Sequence, residues 1–207
     1  MFVDTSLLAF LITCVLIELT PGPNMAYLAI LSLGDGRRAG YAATGGVALG
    51  LLIVGLVAAF GLAAAVSRSA LFYEVLRAAG IGYLLYLAWQ GWRDADNASI
   101  EGSNNGAPLH TYFVRGLVTN LLNPKAAMFY VAILPPFIDA SRPVLPQTLT
   151  RSLLYVLVAT AIHGLIVSLA GFAREILANS GLVRLLRRGL SAALALVAVW
   201  FAVTTAR

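Results

Sequence analysis

Three polar islands interrupt long apolar runs in this chain: ELTPGPNM at Glu18 to Met25, NLLNPK at Asn120 to Lys125, and His163 inside TAIHGLIV. In the first, Pro21 and Pro23 lack backbone donors and Gly22 accepts dihedrals closed to other residues. A helix through this segment is left with carbonyls before the break and N–H groups after it that have no intrahelical partner. Hydrocarbon cannot satisfy them, so such a break is tolerated only inside protein or beside a water-filled cavity. The half-helix beginning near Asn24 points its positive end at that cavity, which suits a carboxylate, and the free carbonyls suit an ammonium group. A packed proline kink accounts for one proline. Two prolines around a glycine, with Glu18 one turn before and Asn24 just after, favour a binding site made of Glu18, Pro21, Gly22, Pro23 and Asn24, because ionisable groups at membrane depth are usually functional.

The second island contributes Asn120, Asn123, Pro124 and Lys125, and Lys125 is the only lysine in the chain. A lysine at the bilayer centre costs ~2.5 to 3.5 kcal/mol on insertion scales, so it needs a partner. Snorkelling would require a nearby helix end. About thirteen residues, ~20 Å of helix, separate Lys125 from either end of its apolar run. Glu18 or the carboxylate of a bound molecule is the expected partner. His163 sits at the midpoint of its own apolar run, and its ordinary pKa of about 6.5 suits proton coupling. A hydrogen bond to a neighbouring helix explains it equally well. His110 lies in a polar loop and takes no role.

The elements that position these groups are membrane helices. Of 207 residues, 60% are hydrophobic and 11% charged, and the mean hydropathy is +0.86, which excludes a soluble globule. At about 20 apolar residues per span, the chain has room for about six transmembrane helices. Uninterrupted apolar stretches place them at about Thr5 to Leu33, Tyr41 to Val66, Ala70 to Trp92, Thr111 to Ile138, Ser152 to Ala173 and Leu185 to Thr204. Residues 1–207 are expected to form a single transmembrane domain, with a polar loop at 93–110 between repeats at about 1–92 and 111–207. The net charge of +5 reads as loop arginine rather than nucleic-acid binding. The N-terminus lacks the basic region of a signal peptide and carries Asp4, so the first apolar segment is expected to be retained. Cys14 is the only cysteine, which excludes a disulfide framework or a CxxC metal site.

The two halves resemble each other. LRAAGIGYLLYLAW (Leu76 to Trp89) parallels LRRGLSAALALVAVW (Leu186 to Trp200), and the first and fourth spans are both long and broken by proline. With an odd number of helices per half, the second copy enters from the opposite side, so the repeat is inverted. Arg37, Arg38, Arg93, Arg115, Arg174, Arg184, Arg187 and Arg188 fall at odd-numbered loops, against Arg68, Arg77, Arg142, Arg151 and Arg207 elsewhere. Positive loops face the cytoplasm, which favours both termini outside. Gly46 and Gly50 form a GxxxG pair that lets the second span approach another backbone within the same chain. Trp89, Trp92 and Tyr112 read as interface anchors, and Leu134 to Pro146 as a stiff turn ending the fourth span.

TPGPN in the first span, GIGYLLYLAWQGWR (Gly80 to Arg93) in the third and FVRGLVTNLLNPKAAMFYVAILPPF (Phe113 to Phe137) in the fourth together resemble the LysE/RhtB family of amino-acid exporters. The resemblance follows length and helix order over nearly the whole chain, while the last two spans add little. It implies export of amino acids or their derivatives across the bacterial inner membrane by a multi-pass protein driven by ion or proton gradients. It carries over Pro21, Gly22, Pro23 and Asn24 as one signature and Asn123, Pro124 and Lys125 as another. His163 matches no family motif.

The expected fold is therefore an all-α membrane protein of six transmembrane helices in two inverted three-helix repeats, broken at PGP and NPK. Its expected activity is alternating-access, proton-coupled efflux, with a zwitterion held near the midplane and Glu18 or His163 carrying the proton. Its partners are the small-molecule substrate and the lipid bilayer, with room for a homodimer and no call for a cofactor, metal or nucleic acid. A divalent-cation exporter is the rival reading, but soft metals want clustered Cys and His. An intramembrane enzyme would need an activated nucleophile, and Ser168 near His163 has no such motif around it.

Overall fold

The computed structural model describes residues 5–20, 22–60, 78, 81–83, 85–89, 92–93, 107–139, 141–176 and 180–204. Among them the chain is all-helical, with no strand. Helix α1 spans Thr5–Leu19, α2 Pro23–Asp35 and α3 Arg37–Ala59. After short helical stretches within 78–93 come α4 (Leu109–Leu121), α5 (Pro124–Met128), a π-helical turn (Phe129–Ile133) and a 3-10 turn (Pro135–Phe137). Helices α6 (Val144–Ile176) and α7 (Ser180–Thr204) complete the chain.

Proline and glycine set several of these boundaries. The axes on either side of the Thr20–Gly22 break meet at 57°, and Pro23 occupies the first turn of α2, where a missing N–H costs nothing. Pro124 plays the same part in α5, with Asn123 as its N-cap accepting from the Lys125 backbone N–H. Leu134 donates to Phe129 at 2.9 Å, the long reach that defines a π-turn, before Pro135 and Pro136 end the regular path. Gly36, at φ 90°, turns the chain from α2 into α3.

Arg37–Ala59 and Val144–Ile176 are each long and apolar enough to cross a membrane, and the bent α1–α2 pair makes a third span if counted as one. Several element boundaries differ from the sequence reading. The second apolar segment begins at Arg37 rather than Tyr41, and the sixth at Ser180 rather than Leu185. The turn expected to run to Pro146 is shorter, since α6 starts at Val144. Pro146 falls in its first turn, where backbone donors have no helical partner to lose. Most of the third expected span lies outside the described residues.

Among the described residues two apolar clusters form the core. One gathers Phe10, Cys14, Val47, Leu51, Phe129, Tyr130, Tyr155 and Ala159, and the other Tyr27, Leu28, Leu31, Ala43, Tyr112, Val167 and Leu194. Both draw on α3 and α6, and His163 sits between Ala159 of one and Val167 of the other. Gly46 and Gly116 let α3 and α4 touch backbone to backbone: a Cβ on Gly46 would strike the Phe113 carbonyl, and one on Gly116 the Ala43 carbonyl. This is the close approach expected of a small-residue stripe. Trp89 and Trp92 are exposed, whereas Tyr112 is buried in the core rather than at an interface. Its hydroxyl accepts from the Ala107 N–H.

Candidate functional site

The break between α1 and α2 places Glu18 at the last turn of one helix and Asn24 at the first turn of the next. Both are buried, at 4% and 5% exposure. From α6, the Tyr155 hydroxyl donates to Glu18 Oε1 at 2.6 Å, the length of a charge-assisted bond. His163 Nε2, also from α6, lies 3.3 Å from Oε2. Neither ring nitrogen of His163 has a hydrogen-bond partner among the described residues, so its contact with the carboxylate is close but not aligned. Lys125 reaches across from the start of α5 to bring Nζ within 3.9 Å of Glu18 Oε2 and donates to the Thr20 carbonyl at 3.0 Å. That carbonyl belongs to the end of α1, where acceptors have run out of intrahelical donors. The two interrupted regions are thus tied together by the side chain of one and the free backbone of the other.

A second tie lies deeper. Asn24 Nδ2 donates to Asn120 Oδ1 at 2.9 Å, joining α2 to α4. Asn120 fits because residue 50 has no side chain: a Cβ there would come within 2.8 Å of Asn120 Nδ2. Asn24 Oδ1 and Asn120 Nδ2 have no partner among the described residues.

Glu18, Gly22, Asn24, Asn123, Lys125 and His163 line one cavity of about 10 Å3, room for about one water. It is the meeting place of most of the residues singled out in the sequence. Asn120 stands one layer behind, bonded to Asn24. Pro23 is fully buried at the head of α2, Pro124 opens α5, and Pro21 lies outside the described residues. Among the described residues no three His, Cys, Asp or Glu side chains gather as a metal site would require.

Tyr155 is absent from the groups the sequence points to, and Gly50 is read there only as half of a packing pair. Tyr155 had a readable signal: with Ala159 and His163 it forms a stripe at intervals of four along α6, which puts the hydroxyl on the same face as the histidine. Its ring is held by stacking on Phe129, with centroids 3.6 Å apart at 12°, and edge-on against Tyr130.

Long apolar helices, two of them meeting at a sharp bend, enclose buried charged and amide groups, an arrangement that suits a membrane translocator. The LysE type translocator profile matches residues 15–207, and the chain belongs to that family. It is 34% identical over 141 residues to the homoserine/homoserine lactone efflux protein of Salmonella typhimurium, covering 68% of each chain. It is 32% identical over 135 residues to the leucine efflux protein of Salmonella choleraesuis, covering 65% of this chain and 64% of that one. No solved structure gives a significant match. The protein is accordingly a transporter and not an enzyme.

Proposed function

We propose that this protein is a secondary active exporter of amino acids or amino-acid derivatives in the bacterial inner membrane. Similarity to homoserine and leucine efflux proteins supports the substrate class. The pairing of buried Glu18 with partly buried Lys125, between two interrupted helices, is the observation that carries the site. In this reading residues 1–207 act as one multi-pass domain of six spans, arranged as two inverted triplets with TPGPN and NPK as the paired breaks. A zwitterion binds between them. Its carboxylate faces the N-terminus of α2 at Asn24 and the Lys125 ammonium, and its own ammonium faces Glu18 and the Thr20 carbonyl. Pro21, Gly22, Pro23, Asn120, Asn123 and Pro124 shape the breaks that expose these groups.

A cavity of about 10 Å3 is far below the ~300 Å3 at which small-molecule pockets begin. Loading therefore requires the helices to part, and rocking of one repeat against the other would open the site to each side in turn. In this reading Glu18, with His163 beside it, exchanges a proton during that cycle, and the charge on the carboxylate governs its hold on both Lys125 and a substrate amine. Cells preloaded with amino acids or dipeptides test the reading. Wild-type protein should accelerate amino-acid efflux, and Lys125→Ala and Pro23→Ala should abolish the acceleration. Efflux unchanged by both substitutions refutes it.

A further inference from the structure

We infer that Lys125 is a built-in stand-in for the substrate's amino group: its ammonium occupies the subsite formed by the Glu18 carboxylate and the Thr20 carbonyl, and a substrate amine must displace it to bind. This rests on the exporter reading and adds to it a rule for which molecules can enter.

The geometry is that of an occupied ammonium site. Nζ sits 3.0 Å from the Thr20 carbonyl and 3.9 Å from Glu18 Oε2, between the negative end of a terminated helix and a buried carboxylate. A substrate ammonium would seek the same two partners. The lysine reaches them by lying against Gly22, where a Cβ would come within 3.3 Å of Lys125 Cδ. Its backbone is fixed independently, because Asn123 caps the Lys125 N–H at 3.0 Å. The side chain can therefore swing away while α5 stays in place. With the ammonium in position, the remaining space holds no amino acid.

Charge counting then selects the substrate. Displacing Lys125 with a simple amine takes away the lysine's anion and supplies no other, and a charge left unpaired in a largely buried site is heavily penalised. A simple carboxylate has no group to take the vacated place on Glu18. Only a molecule carrying both charges satisfies Glu18 with its ammonium and the displaced Lys125 with its carboxylate. The site thus demands a zwitterion, and it does so with the lysine that would otherwise compete.

The test is chemical rescue of the purified full-length protein in nanodiscs. In Lys125→Ala the subsite is empty, so saturating methylammonium chloride should raise its melting midpoint by about 5 °C. The same concentration of sodium or tetramethylammonium chloride should not. Wild type and Glu18→Gln/Lys125→Ala should show no methylammonium response. No rise in Lys125→Ala, or an equal rise in all three proteins, overturns the inference. Should Lys125→Ala fail to fold, the single lysine of the wild-type chain allows a second measurement. With 13Cε-lysine incorporated, the Lys125 resonance should move when an amino acid that the protein exports is added, and stay still with methylammonium. A resonance unmoved by an exported amino acid overturns the inference while leaving the exporter reading intact. Absence of amino-acid export from wild-type vesicles refutes that reading separately, with methylammonium rescue still judging the subsite.

Discussion

Tyr155→Phe removes one oxygen atom and isolates the bond that anchors Glu18. The phenyl ring keeps its stacking on Phe129, so packing is conserved and only the 2.6 Å hydroxyl donor to Oε1 is lost. A neutral hydrogen bond between membrane helices is worth about 0.6 kcal/mol on average. Bonds to charged groups are roughly twice as strong, and a buried carboxylate deprived of a donor adds about 1 kcal/mol or more. We expect Tyr155→Phe to destabilise the protein by about 2 kcal/mol. Glu18→Gln keeps an acceptor but removes the charge, so the double mutant should recover about 1 kcal/mol relative to additivity. Unfolding in mixed detergent micelles, run as a double-mutant cycle, measures both. A coupling below about 0.3 kcal/mol, within the scatter of independent sites, would show that the hydroxyl does not hold the carboxylate.

Other outcomes follow from the same packing. Gly46→Ala and Gly116→Ala force the α3 and α4 backbones apart and should each cost about 1 to 3 kcal/mol. Gly189→Ala in α7, where nothing lies within 4 Å of the added carbon, should be neutral or stabilise by up to about 1 kcal/mol; thermal unfolding compares the three. Gly50→Ala should displace the Asn120 amide, break its 2.9 Å bond to Asn24 and lower efflux as much as Asn120→Ala does, measured in the same preloaded cells. In the turn before α6, hydrogen bonds from the Ser141 hydroxyl and N–H hold the exposed Asp139 carboxyl below the usual aspartate range. A depressed pKa gives stabilisation that is complete above the ordinary value of about 3.9 and lost as pH falls through the folded value. The Ser141 amide shift in NMR should therefore stay constant from neutral pH down to about 4 and move only below it.

Much of the site was legible because bilayer depth makes polar residues conspicuous. Glu18, Asn24, Asn123, Lys125 and His163 each stand in an apolar run, and a membrane leaves such groups few roles. The small-residue stripe around Gly46 was legible for a similar reason, since glycine in a helix interior is unfavourable unless a neighbour comes close. What sequence could not convey was convergence. Tyr155 looks like any aromatic in an apolar helix until α6 is packed against α1. Gly50 belongs to a stripe, yet only the fold shows that the amide of Asn120 occupies the space it leaves. Tyr112 misled by its place near a helix end, because its burial depends on the cluster it joins with Tyr27, Leu28 and Leu31 of α2. Pro146 misled because proline in the first turn of a helix and proline in a loop are alike in sequence.

Transport of amino acids through the proposed Glu18–Lys125 site can be read from purified protein in proteoliposomes loaded with an equimolar amino-acid mixture under an imposed proton gradient, with the external solution analysed by mass spectrometry. Wild type should release one amino acid or a small group of them faster than protein-free liposomes do, and collapse of the gradient should slow the release. Lys125→Ala, reconstituted to the same density, should release none faster than the background. Release by Lys125→Ala at the wild-type rate, or no selective release by wild type, would refute export through this site.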